Sequence, residues 1–215
     1  MKNVYIYCEG QTEEAFINEV LYPYFIYIEI FVRPIICTTK RTKTAKFKGG
    51  VSDYFKIKKE LTIICKQHQN EKITTMFDYY AIPSNTPGID SQEADIFLRI
   101  KYIEKILEDD IGMPNLFFNL VLHEFEGLLF SKPDTFKTIV DDNIVDDIIR
   151  IRNEFDTPEH INNSFETAPS KRLEKLIPNY PKVKNGTIIS KEIGMDRIVS
   201  ECNHFAKWIE KIRNC

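Results

Sequence analysis

Three apolar runs in this chain each stop at an acidic residue. Val4-Tyr5-Ile6-Tyr7-Cys8 runs into Glu9, Ile73-Thr74-Thr75-Met76-Phe77 runs into Asp78, and Leu116-Phe117-Phe118-Asn119-Leu120-Val121-Leu122 runs into His123-Glu124-Phe125-Glu126. Short continuous apolar runs of this kind read as strands buried on both faces, and α/β sheets build their sites at strand ends. If the three strands are parallel neighbours, their carboxylates meet at one edge of the sheet. Gathered carboxylates repel one another and are tolerated mainly around a divalent cation, and an oxygen-only donor set favours Mg²⁺ or Mn²⁺. Such an ion orients a phosphodiester, stabilises charge on its oxygens and activates water. Glu9 and Asp78 are the first candidates to hold it. Glu124 and Glu126 are two apart, so on an extended backbone they share a face. One of them is expected to ligate, and the other either does so too, caps the following helix or fixes His123. His123 itself has two readings, as a catalytic group or as a histidine that orients its neighbours. With four histidines and no close metal-type spacing, a structural zinc site is not expected.

The elements that must position these residues follow from periodicity. A strand over residues 3–8 leads through Glu9-Gly10-Gln11-Thr12-Glu13-Glu14 into a helix, with Gly10 permitting a sharp turn and Thr12 as the expected N-cap. Glu13 and Glu14 fall in the first turn, where the helix dipole favours anions, whereas Glu9 has no evident local structural task. A second strand is expected within 25–37, broken by Pro34. Amphipathic helices are expected over 53–67 and 93–109, separated by the strand at 73–77 and a loop at 82–88. This alternation predicts an α/β fold with a mostly parallel sheet flanked by helices. Further on, 134–155 reads as helical and 194–215 as one amphipathic helix, with Trp208 off its apolar stripe. The expected organisation is an α/β core over 1–135 and a mainly helical C-terminal extension over 136–215, packed as one compact unit.

Composition narrows the partners. The chain has 215 residues and a net charge of −3, with Lys+Arg 29 against Asp+Glu 32, which argues against a generic polyanion binder. A local basic run, Lys40, Arg41, Lys43, Lys46 and Lys48, closes on Gly49-Gly50 and reads either as a solvated loop or as a grip on nucleic acid or a protein partner. Lys171 and Arg172 matter only if the chain folds back over the sheet's carboxyl edge, where their charge would stabilise a phosphoryl transition state or contact a phosphate. Five cysteines without a CxxC pair, no signal-peptide pattern and no apolar stretch near the ~20 residues of a membrane helix predict a cytoplasmic chain with free thiols and no membrane partner.

Taken together, Glu9-Gly10-Gln11-Thr12-Glu13-Glu14, Phe77-Asp78-Tyr79-Tyr80 with Pro83, His123-Glu124-Phe125-Glu126, Pro169-Ser170-Lys171-Arg172 and the ending Cys202 to Trp208 resemble a bacterial family catalogued as domain of unknown function 4276. The resemblance runs over nearly the whole chain. That family resembles the Toprim fold of topoisomerases, primases and OLD-type nucleases, which implies a Mg²⁺-dependent enzyme acting on DNA or RNA. Glu9 matches the Toprim Glu after the first strand, Glu13 the second Glu of OLD-type nucleases, and Asp78 the first acid of the DxD motif. Lys171 loosely resembles the late lysine of OLD-type nucleases. Tyr80 stands where the second DxD acid is expected and supplies no anionic ligand at neutral pH. Either Glu124 or Glu126 substitutes, or one of two metal positions is weakened or absent. Relatives of this kind are often encoded beside an ABC- or AAA-type ATPase in antiphage defence loci. The chain itself has no GxxxxGK[ST] loop, so any such ATPase is a separate protein. Two further readings stand beside the nuclease: a non-catalytic Toprim-like docking module for a partner ATPase, and nucleotidyl transfer as in primases.

Overall fold

The computed structural model describes residues 2–37, 53–162 and 165–215. The basic run from Lys40 to Lys48 therefore lies outside the described residues. Strands β1 (Lys2–Cys8), β2 (Ile30–Ile36), β3 (Lys72–Asp78), β4 (Leu116–Phe117) and β5 (Leu120–Val121) form one sheet, in which β2, β1, β3 and β4 are successive neighbours and β5 pairs with β3. Every described pairing is parallel. Side chains alternate between the sheet's faces as the two-residue period requires. Val4, Ile6, Cys8, Met76 and Val121 face one apolar cluster, and Tyr7, Ile73, Phe77, Leu120 and Leu122 face the other.

The second cluster is covered by α3 (Tyr54–Gln67) and α4 (Ile96–Ile111). Asp53 caps α3, Asp95 caps α4, and Gly112 ends α4 in the left-handed conformation. The first cluster combines α1 (Gln11–Phe16) with α5 (Asp142–Asn153), α6 (Pro169–Leu176), α7 (Lys182–Ile193), α8 (Met195–Glu201) and α9 (Asn203–Arg213). Residues from before and after position 135 thus share one core. A π-helical turn, Ile17–Leu21, joins α1 to α2 (Tyr22–Ile26), just ahead of Pro23, whose missing N–H disturbs the regular ladder. No helix among the described residues is long and apolar enough to cross a membrane. All five cysteines are free.

Several local expectations are corrected. Pro34 does not break β2, because β2 lies at the sheet edge, where a residue without an amide N–H is tolerated. The run 116–122 is not one continuous strand. β4 and β5 keep one register along β3, but between them the Thr75 hydroxyl takes the place of a ladder, donating to the Asn119 carbonyl at 2.8 Å and accepting from its amide at 2.9 Å. The outward amides of Phe118 and Leu120 donate instead to Glu108 and Glu104 of α4. Residues 134–155 divide into a 3-10 stretch, Pro133–Thr138, and α5. The expected helix over 194–215 breaks at Cys202 into α8 and α9, because the Glu159 carboxylate accepts the His204 and Phe205 amides that a continuous helix would have used internally. Trp208 is core rather than peripheral: it is buried, and its indole N–H donates to the Thr74 hydroxyl at 2.9 Å.

Candidate active site

The register of β1, β3 and β5 brings Glu9, Asp78 and the His123–Glu126 segment to the same edge of the sheet. Four of the five acids there each fix a neighbouring main-chain amide. Glu9 Oε1 accepts from the Asp78 amide at 3.0 Å, and Asp78 Oδ1 accepts from the Phe125 amide at 2.9 Å. Glu124 Oε2 accepts from the Ser170 amide, and Glu13 Oε2 from the Gly10 amide, both at 2.9 Å. Glu9 therefore does have a structural task, pinning the last residue of β3. The α1 N-cap is Gly10 rather than Thr12, with Glu13 closing back on it. After Glu124 the chain enters a 3-10 stretch, Phe125–Ser131, which buries Glu126.

The electrostatics follow from burial among like charges. Burial pushes the Glu9 carboxyl up to about 8; Glu13 and Glu124 reinforce it, and the Asp78 amide opposes it. Asp78 is raised well above the ordinary carboxylate range by burial and then by Glu9, Glu13, Glu126 and Glu124. Burial raises Glu13, and it lifts Glu126 to about 7 against the pull of Lys182. All five predicted acids thus act on one another at one edge.

Lys182 is the cation on this cluster that sequence reasoning missed. Its ammonium lies 3.7 Å from Glu126 and 3.6 Å from Glu174. Burial tends to lower its pKa, but the facing acids outweigh this and the net shift is upward. A signal was available, since Lys182 opens α7, and a cation at a helix N-terminus is disfavoured unless an acid faces it. The helix can approach this closely because a side chain at Gly186 would come within 3.0 Å of the Phe125 ring. Lys171 sits one link further out, bound to the other oxygen of Glu174 at 2.6 Å. Arg172 is held by the Thr167 carbonyl and lies 5.2 Å over the Phe155 ring.

His123 occupies the left-handed region at φ 64°, a strained position for a residue with a side chain, and burial, reinforced by His160, lowers its pKa to about 4. Its ring stacks on Tyr80 at 5.2 Å, and its carbonyl accepts the Tyr80 amide. Tyr80 thus packs against the histidine where an acid was expected.

The donor chemistry suits a hard divalent cation. It is all oxygen, one oxygen of Glu9, Asp78 and Glu124 each is fixed by an amide while the second is left for a ligand, and the buried Tyr180 hydroxyl and Ser170 Oγ beside Glu126 and Glu124 have no hydrogen-bond partner. Among the described residues no three His, Cys, Asp or Glu side chains stand in a ready metal-binding geometry, so the acids are gathered without forming a closed coordination shell.

A model of the family described as domain of unknown function (DUF4276) matches residues 8–213. The chain belongs to the DUF4276 family. That span takes in every acid of the edge and Lys182, so the candidate site lies within the DUF4276 region. Two solved structures of the C-terminal region of the Xanthomonas campestris pv. campestris OLD protein are similar to this chain. The one phased with mercury has 15% identity, covers 98% of this chain and 94% of its own, and gives a TM-score of 0.45. The one phased with platinum has 15% identity, covers 100% and 98%, and gives a TM-score of 0.38. No curated protein matches.

Proposed function

We propose that this chain is a Mg²⁺- or Mn²⁺-dependent nuclease that hydrolyses phosphodiester bonds of DNA or RNA. The observation that carries this reading is the gathering of Glu9, Glu13, Asp78, Glu124 and Glu126 at one sheet edge, where burial among like charges lifts Glu9 and Glu126 towards neutrality. Such a cluster is relieved by protons or by a cation, and perturbed carboxyls in this setting mark functional sites. Glu9, Asp78 and Glu124 would hold the ion through their second oxygens, with Glu13 and Glu126 adjoining. A bound divalent cation supplies Lewis-acid charge to phosphoryl oxygens and acidifies water. The chain's own part is to orient. Amides of Gly10, Asp78, Phe125 and Ser170 hold the acids, and Lys182, steadied by Glu126 and Glu174, offers a positive charge to a phosphate oxygen. Lys171 reaches the same place only if it leaves Glu174. The family resemblance supports a role as the effector subunit beside a separately encoded ABC- or AAA-type ATPase in antiphage defence.

The test is a calorimetric Mn²⁺ titration of wild type and of Glu9→Ala, Asp78→Ala and Glu124→Ala, followed by nuclease assays on plasmid, single-stranded DNA and tRNA. Metal binding and cleavage are expected in wild type and lost in the variants. A wild type that binds no Mn²⁺ and leaves every nucleic acid intact, even with its ATPase, overturns the proposal. One observation favours a second reading, a Toprim-like docking module: four of the acids already hold main-chain amides without a closed metal shell. In that case the alanine variants lose thermal stability and no protein binds metal.

A further inference from the structure

Directly beside the acids lies a surface cleft of about 390 Å³. Its aromatic walls are Tyr80, His123, Phe155 and His160, and its charged side chains are Glu154 and Asp156. Tyr80 lies two residues after Asp78 and feels the Glu124 carboxylate, and His123 immediately precedes Glu124, so the cleft adjoins the acids. The volume falls in the range of pockets that take small organic ligands, about 300–1,000 Å³.

The chemistry of the walls selects among such ligands. Tyr80 is 40% exposed, unusual for an aromatic ring that already stacks on a neighbour, so part of its surface remains open to solvent. Phe155 is braced from behind by the Arg172 guanidinium, and His160 is fixed by Thr157 and an edge contact from Phe97. His123 is 6% exposed, and its Nδ1 has no hydrogen-bond partner although its residue lines the cleft. A buried polar atom left in this way calls for a ligand group. The two charged lining groups are both acids, and although Glu154 is paired with Arg172 at 3.8 Å, Asp156 leaves the rim net negative, which disfavours a phosphate inside the cleft. Their acceptor oxygens suit the amino groups and ring N–H groups of a flat, uncharged heterocycle.

We propose that this cleft is a nucleobase subsite, in which one base stacks on Tyr80 and hydrogen-bonds His123 Nδ1 while its phosphodiester lies over the acids. The proposal rests on the nuclease reading for its phosphodiester, but base binding itself needs no metal. Because a base can enter only when unstacked from its own helix, the site selects single-stranded or unpaired positions.

The experiment uses 2-aminopurine riboside, an uncharged fluorescent nucleoside, titrated into the full chain in the presence of chelator. Saturable quenching is expected with wild type and with Tyr80→Phe. Tyr80→Ala and Tyr80→Leu, the second keeping apolar bulk without an aromatic face, should weaken binding at least fivefold, the lower end of base–aromatic stacking at about 1–3 kcal/mol. No saturable quenching in wild type, or equal quenching in Tyr80→Ala and Tyr80→Leu, overturns the subsite. A parallel Mn²⁺ titration of wild type separates the two proposals. Nucleoside binding without Mn²⁺ binding keeps the subsite and removes the metal nuclease, and Mn²⁺ binding without nucleoside binding does the reverse.

Discussion

Glu104 and Glu159 are as deeply buried as Glu13 and Glu126, at 6% and 4% exposure against 8% and 5%, yet their oxygens are used differently. Glu104 Oε1 accepts from the Leu120 amide at 2.8 Å and lies 3.1 Å from His204 Nε2. Glu159 spends both oxygens on the first turn of α9, accepting from the His204 and Phe205 amides at 2.9 Å each. Each of these acids replaces a missing backbone partner, Glu104 at the open side of β5 and Glu159 at a helix start. Four of the five acids at the carboxyl edge also hold amides, but they are crowded by one another. A buried acid spent on amides that the backbone leaves open is scaffold. A buried acid crowded by other buried acids waits for a proton or a cation.

The comparison breaks most visibly at Glu159. Glu159→Ala leaves two buried amides unpaired and removes a favourable charge from the α9 N-terminus, which should destabilise the chain by about 3 kcal/mol, since hydrogen bonds to charged groups contribute ~1.5–3 kcal/mol each. The urea midpoint measures this, with no change expected on adding Mn²⁺. A loss under ~1 kcal/mol would show that α9 does not depend on its carboxylate cap.

Glu9→Gln should act in the opposite direction. The amide oxygen still accepts from the Asp78 N–H, while the charge opposed by burial, Glu13 and Glu124 disappears. In chelator at pH 8.5 the variant should be more stable than wild type by about 1 kcal/mol, or roughly 2–4 °C for a chain of this size. Adding Mn²⁺ should raise the melting temperature of wild type and leave the variant behind. A variant that melts lower than wild type in chelator would place Glu9 with Glu159 as a scaffold acid.

How far the sequence disclosed this contrast depends on the range of the interaction. The edge acids were legible because strand periodicity is local and each acid follows its own apolar run, so a parallel sheet needed only correct registers to bring them together. The covers on that edge were not legible. Ser170 and Tyr180 reach the acids through folding of α6 and α7 over 3-10 turns, which no local pattern encodes, and the position of Lys182 at the start of α7 signals an acidic partner without saying which acids. The break at Cys202 was missed for the same reason, because the group that caps α9 is Glu159, more than forty residues away in sequence. Trp208 belongs to the α9 stripe of Phe205, Ile209 and Ile212, because a helical face includes the i+3 as well as the i+4 neighbour. The basic run from Lys40 to Lys48 lies outside the described residues, and the role expected for it remains a proposal.

A pH titration sharpens the comparison without mutating the scaffold acids. Glu9 and Glu126 are raised from 4.5 to about 8 and about 7, so they favour the folded chain at low pH, and that contribution is lost as pH rises through those values. His123 is lowered to about 4, so its contribution changes only below its unfolded value near 6.5. Between pH 6.5 and 8.5 the carboxyls therefore dominate, and the melting temperature of metal-free wild type should fall. Glu9→Gln should flatten the fall, and saturating Mn²⁺ should abolish it by favouring the ionised acids. A metal-free melting temperature that rises across this window would mean that these acids are stabilised as anions by the fold itself.

The smallest expected effect is at Lys182, and it tests whether the edge already carries a partial substitute for a metal. Its contacts to Glu126 and Glu174 are long, 3.7 and 3.6 Å, and its side chain is 38% exposed, so Lys182→Met should change stability by no more than ~1 kcal/mol. Removing a positive charge that faces the same acids should, however, tighten Mn²⁺ binding about two- to fivefold, or roughly 0.4–1 kcal/mol, while weakening cleavage, since the ammonium no longer meets the phosphate. Lys171→Met is the control, because its partner is Glu174 rather than an edge acid, and it should leave Mn²⁺ affinity unchanged. Equal shifts from both lysines would mean that the cluster senses the general field of α6 and α7 rather than one placed cation.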